Sequence, residues 1–173
     1  QAFHRKHVGA DYPIWVLAEF IEHLPDHPDA GCWRDAIALW ADEYVAVFAA
    51  RNPFGLLPYA FYEEPPAAHA AWRYRQIGER LFFRYFLADN TFGNNARSCL
   101  AAAALGAAAR VLNRPALLDD GYRLLEWVVG SNPFQLSTMT GVGVRQPCAL
   151  SFQMGNIPGG VTFGISGDEE DHP

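Results

Sequence analysis

One five-residue phrase occurs twice in this chain. Asn52-Pro53-Phe54-Gly55-Leu56 and Asn132-Pro133-Phe134-Gln135-Leu136 stand eighty residues apart, each just after two runs of helical periodicity. A residue before proline is pushed out of the helical region, so Asn-Pro stops a helix. The same stop at the same place after two helix pairs predicts a repeated helical hairpin. The first hairpin covers about 11–51. Asp11 can cap a helix that Pro13 enters in its first turn, with Ile14, Leu17, Ile21 and Leu24 on one face until Pro25. Trp33, Ile37, Trp40, Tyr44 and Val47 then form a second stripe that ends at Arg51.

The second hairpin covers about 94–130. From Cys99 to Leu112 seven of fourteen residues are alanine and Arg110 is the only charge, a pattern that predicts a helix buried on every side. Asn113 and Pro115 start the next helix, with Leu118, Tyr122, Leu125 and Val129 on one stripe and Gly130 at its end. Residues 52–93 read as an elaborated connection. Within it Trp72 to Leu87 fits either an arginine-studded helix or, through Leu81-Phe82-Phe83-Arg84-Tyr85-Phe86, an aromatic strand. Beyond 130, eight glycines fall within 38 residues, which predicts long, tightly turning loops over 131–173 of the kind that line a cleft. The expected fold is therefore all-α, one partial domain over 1–173.

Composition narrows the function. Half of the 173 residues are hydrophobic and the net charge is -6, with no Lys/Arg run, which argues against nucleic acid as a partner. No stretch of 18 apolar residues predicts a membrane span. Cys32, Cys99 and Cys148 match no zinc or redox spacing and read as buried small hydrophobes. The six histidines show no metal-ligand pairing, and no phosphate loop or serine-nucleophile elbow is present, so no metal and no cofactor are expected.

The stretch Glu126-Trp127-Val128-Val129-Gly130-Ser131-Asn132-Pro133-Phe134, followed by Ser137-Thr138-Met139-Thr140-Gly141-Val142-Gly143, resembles the late-barrel motif of glycoside hydrolase family 9 and its six-hairpin relatives. The segment from Gly159-Gly160-Val161 to Asp168 is similar to a later glycine and acid segment of that family. The likeness is concentrated in residues 94–168. It implies part of an (α/α)6 barrel, cut on both sides, from an enzyme that hydrolyses a β-glucan or related oligosaccharide with paired carboxylates. It also implies an extracytoplasmic setting. Polysaccharide lyases and uronyl hydrolases use related helical toroids, and a non-catalytic helical-repeat interaction domain is the reading from a different class.

The chain departs from the family where the chemistry sits. Arg145-Gln146-Pro147-Cys148-Ala149-Leu150 stands where the family has a Pro-His-His-Arg element, and neither its Asp-x-Gly-Asp base motif nor its Asn-Glu acid motif occurs. Inverting hydrolysis needs two carboxylates roughly 6.5–9.5 Å apart, so the catalytic pair is expected outside these residues and the chain alone is expected to be inactive. Of the terminal acids Asp168, Glu169, Glu170 and Asp171, Asp168 is the candidate to point inward. Asn94 and Asn95, at the start of the alanine helix, and Thr140 and Gly141, in the family-like turn, are the candidate sugar contacts. Asn132 is expected to cap its helix. Self-association is a further expectation, since half a barrel leaves inner faces uncovered.

Overall fold

A computed structural model describes residues 6–8, 11–65, 71–86, 93–146 and 157–173. The first hairpin pairs α1 (Asp11–His23) with α2 (Ala30–Trp40), which runs on through a π-helical turn (Ala41–Val45) into α3 (Ala46–Ala49). The second pairs α4 (Asn95–Leu112) with α5 (Leu117–Val129). Asn113 belongs to the end of α4 and not to the start of α5: at φ 53° it takes the left-handed conformation that closes a helix and that asparagine tolerates.

The repeated phrase has one structural meaning in both places. Asn52 Nδ2 donates to the carbonyls of Phe48 (3.2 Å) and Leu56 (2.9 Å), while its Oδ1 accepts the N–H groups of Phe54 (3.2 Å) and Leu56 (2.9 Å). Asn132 Nδ2 donates to Trp127 (2.9 Å) and Leu136 (2.8 Å), and its Oδ1 accepts from Phe134 and Leu136, both at 3.2 Å. One amide thus ties the last turn of the hairpin to the chain leaving it, satisfying a helix-end carbonyl that has no partner within the helix. Proline next to it lacks an N–H and loses nothing in this turn.

The chain is not all-α. Four short strands, β1 (Lys6–Val8), β2 (Ala60–Tyr62), β3 (Arg75–Ile77) and β4 (Leu81–Arg84), form an antiparallel sheet in the order β1-β2-β4-β3. Phe61 pairs with His7 and with Phe83, and Phe83 with Arg75. The ambiguous aromatic run is therefore a strand from Leu81 to Arg84. Its aromatics decide this by packing: Phe48 meets Phe83 at 5.1 Å and Phe61 at 5.2 Å, and Tyr44 meets Phe61 at 5.7 Å, fastening the sheet to the end of the first hairpin.

One continuous core joins both hairpins and the sheet. Ile37, Leu105, Leu124 and Trp127 are fully buried within it, each aliphatic side chain worth roughly 1.5–3 kcal/mol of transfer from water. Phe54 of the first repeated phrase meets Trp127 edge-on at 5.1 Å, so the phrase also locks one hairpin to the other. Three expectations about burial fail. The α5 stripe Leu118, Tyr122, Leu125 and Val129 is exposed, because α5 has a wide apolar arc and turns Gly121, Leu124, Trp127 and Val128 inward instead. The alanine helix α4 is not enclosed on every side either, since Ala103 is exposed and Ala102 and Gly106 are half-buried. Cys32 is exposed and Cys99 half-buried, so neither is a core residue, and Cys148 lies outside the described residues.

Candidate functional site

The first turn of α4 gathers polar side chains that water does not reach. Arg97, two residues beyond the paired asparagines, is buried to within a tenth of its surface and extends toward the first hairpin. Its Nη2 lies 3.1 Å from Asp11 Oδ2 and donates to the Tyr44 hydroxyl at 3.1 Å, and its Nη1 donates to the Tyr59 carbonyl at 2.6 Å. Its guanidinium also sits 5.7 Å from the centre of the Tyr59 ring. The π-helical turn contributes here, because Tyr44 belongs to it; such single-turn insertions into α-helices recur at functional sites.

Three atoms of this cluster are buried without a partner among the described residues: Asp11 Oδ1, Asn94 Oδ1 and Arg97 Nε. Leaving one such atom unsatisfied costs about 1–3 kcal/mol, and native interiors rarely do so. Asn94, Arg97 and Ser98 line a cavity of about 10 Å³ together with Leu57, Tyr85 and Leu124. That space is enough for one hydroxyl or water-sized group. Burial pushes the Asp11 carboxyl above its usual range, against the pull of Arg97, and pushes the Tyr44 hydroxyl well above that of an ordinary phenol.

The raised Asp11 carboxyl fixes the direction of a pH effect. In the folded chain it holds its proton more tightly than in the unfolded chain, where the value is 3.8. Its contribution to stability is therefore complete below 3.8 and is lost as pH rises through the higher folded value. Subtracting the stability of Asp11→Asn from that of the parent chain at each pH is expected to give a curve that falls over this interval, read by urea unfolding; a flat or rising curve would contradict it.

Asn95 faces the other way. Its Nδ2 donates to Thr138 Oγ1 (2.7 Å) and to the Thr162 carbonyl (3.0 Å), and its backbone N–H donates to Phe163 (3.1 Å). Asn94 N–H donates to Ile165 at 3.2 Å. The free N–H groups at the start of α4 thus hold the glycine-rich loop, and that loop is stitched to the preceding one by the Met139–Val161 bridge. Thr140 is buried, and its hydroxyl donates to the carbonyls of Ile157 and Gly160. Gly141 turns the chain at φ +77°, and its N–H donates to Gln146 Oε1. Of the four residues singled out by sequence, Asn94 alone lines the cavity; Asn95, Thr140 and Gly141 bind the loops to one another and to α4.

The acidic run folds differently from expectation. Asp168 is exposed, and its Oδ1 accepts the N–H groups of Glu170 and His172, both at 2.9 Å, which with His172 nearby hold its carboxyl below the usual range. Asp171 is the inward residue. Its carboxylate, with no exposed surface, accepts Tyr85 N–H (2.9 Å), Phe86 N–H (3.0 Å) and Arg75 Nε–H (2.9 Å). Buried Arg84 completes a clasp by donating to the carbonyls of Arg73 (2.8 Å), Glu169 (2.9 Å) and Asp168. The turn starting at Asp168 needs its side chain as a cap, which leaves Asp171 to reach the strand end.

Sequence reasoning missed Arg97 and Tyr44 as site residues and read Asp11 only as a cap. Their one available signal was an arginine at the start of an alanine-rich helix whose only other charge is Arg110. No protein-family model, curated protein or solved structure matches this chain.

Proposed function

We propose that this chain is part of an (α/α)6 helical-hairpin toroid of a carbohydrate-active enzyme that hydrolyses glycosidic bonds in a β-glucan or related oligosaccharide. On this reading the cluster at the start of α4 meets sugar hydroxyls. The observation that carries it is the trio of unpartnered buried atoms, Asp11 Oδ1, Asn94 Oδ1 and Arg97 Nε. Two of them are acceptors and one is a donor, Asn94 and Arg97 line the same small cavity, and a hydroxyl group, which both donates and accepts, is the chemical class that satisfies such a set. Support also comes from the two Asn-capped hairpins and from the loops they deliver to the first turn of α4. Among the described residues Asp11 and Asp171 are the buried carboxylates, and Asp171 is committed to the clasp. Asp11 alone does not make an acid and base pair.

The expected result is binding without turnover. Adding a soluble β-glucan oligosaccharide should slow amide exchange at 94–98, Asn94→Ala should weaken that protection, and no reducing sugar should be released. Unchanged exchange at saturating sugar would remove the binding assignment, and sugar release by the purified chain would overturn the placement of the catalytic pair outside it. The exposed apolar stripe of α5 favours a second reading, an interaction domain.

A further inference from the structure

The two Asn brackets share a backbone and differ in their cover. In each, the asparagine amide holds the carbonyl of an aromatic residue in the last turn of its hairpin, Phe48 for Asn52 and Trp127 for Asn132. In each, the residue three places after the asparagine is left-handed, Gly55 at φ 68° and Gln135 at φ 51°. Phe54 and Phe134 donate their N–H groups to the asparagine Oδ1 at the same 3.2 Å. Equivalent backbone presents equivalent side chains, so the contact made by the first phenylalanine is a guide to the second. The first phrase is gripped by α5. Phe54 meets Trp127 edge-on at 5.1 Å, and Arg123, one turn earlier on α5, donates from Nη2 to the Pro53 carbonyl at 3.2 Å. Gly55 makes room for this, since a Cβ there would lie 3.0 Å from the Arg123 guanidinium. Under that cover Gly55 and Leu56 are buried and Phe54 is half-buried. The second phrase is bare, with Gln135 exposed, Leu136 half-buried and Phe134 at 44% exposure.

We infer that Phe134 is the docking knob for the end of a further helical hairpin, one that carries a large aromatic side chain in its last turn as Trp127 does for Phe54. The repeat itself names the occupant: the second contact is the first one moved along by one hairpin. A second copy of this chain does not supply it, because both of its aromatic hairpin ends are buried and already covered. Phe48 is covered by Phe61 and Phe83, and Trp127 by Phe54 and Phe86. The grip differs in one respect. Gln135 has a side chain where Gly55 has none, which crowds out an arginine seated as Arg123 is, and Arg145 of the chain itself donates to the Phe134 carbonyl at 3.1 Å. The receiving helix is therefore expected to bring the aromatic without an arginine one turn before it. This contact rests on the toroid proposed for the chain and not on its sugar.

Hydroxyl-radical footprinting of the protein isolated from its source, beside the purified 173-residue chain, tests it. In the 173-residue chain Phe134 should oxidise several-fold faster than Phe54; in the source protein the two should be protected alike. A photo-crosslinker at the same position, Phe134→p-benzoylphenylalanine, should then capture a helix end in the source protein whose large aromatic stands four or five residues before its turn residue, the spacing of Phe48 to Asn52 and of Trp127 to Asn132. The bracket uses only the backbone of residue 134, so this variant should keep the unfolding midpoint of the parent 173-residue chain, which separates a lost contact from a lost fold. Equal oxidation of Phe134 in both samples would overturn the inference. So would a crosslink to a second copy of this chain, or to a segment that is not a helix end. None of these readouts involves sugar: capture of an aromatic helix end by a protein whose residues 94–98 ignore β-glucan would end the sugar assignment and leave this contact standing.

Discussion

Replacing Asp171 by alanine is expected to lower the unfolding free energy by about 3–5 kcal/mol, the usual result of removing one member of a buried ion pair. The carboxylate is fully covered and serves four groups at once: the N–H of Tyr85, the N–H of Phe86, the guanidinium of Arg75, and that of Arg84 at 3.8 Å. Alanine leaves two backbone donors without an acceptor and a buried arginine without its counter-charge. Arg84 cannot withdraw to water, because its other donors hold the carbonyls of residues 73, 168 and 169 and its guanidinium lies 5.0 Å from the centre of the Trp72 ring. Asp171→Asn keeps one acceptor oxygen and should lose less. Amide exchange separates this account from a general loosening: the Tyr85 and Phe86 amides should lose protection first, while those in the middle of α4 follow the global value. A midpoint shift equivalent to less than about 1 kcal/mol would mean that the clasp is closed by its backbone contacts alone.

That clasp also shows what could be read in the sequence and what could not. Helical hairpins were legible because periodicity is local: Ile14 and Ile21, or Trp33 and Ile37, announce one face within a few turns. The Asn52 and Asn132 brackets were legible as a repeat, and their chemistry is local too, since every partner lies within five residues. The sheet was not, because Leu81 to Phe86 satisfies either period and is decided by Phe48 and Phe61, which arrive from elsewhere in the chain. The same holds for the two buried ion pairs. Nothing beside Asp11 in the sequence points to Arg97, and nothing beside Asp171 points to Arg84; both pairs join positions that only the tertiary fold brings together. Asp168 drew attention for its place after the glycines, yet its side chain is spent on its own turn. The α5 stripe misled for a related reason: a helix apolar over a wide arc offers two candidate faces, and the small surface of α4 selected the one with Gly121.

Gly164→Ala is the second change with a large expected effect, and its size follows from two independent terms. At φ +97° the backbone already disfavours any side chain, a cost of about 1–3 kcal/mol. An added Cβ would also fall 2.4 Å from Asn95 Oδ1 and 2.9 Å from Asn95 N, far inside van der Waals contact. Asn95 cannot yield freely, because its side chain is tied to Thr138 and Thr162 and its N–H to Phe163. Either the loop lifts off α4 or those bonds break, and each route adds roughly another 1–3 kcal/mol. Gly159 supplies the control. It too has positive φ, +81°, but a Cβ there would meet nothing within 4 Å, so Gly159→Ala should cost only the conformational term. Urea midpoints of the two variants are therefore expected to differ by an amount equal to the steric term alone, with Gly164→Ala also losing exchange protection at Asn95 and Thr162. Equal midpoints would show that the loop is not seated on the first turn of α4. The arrangement that brings Asn94 to the cavity beside Arg97 would then have to be held by α4 and the first hairpin alone.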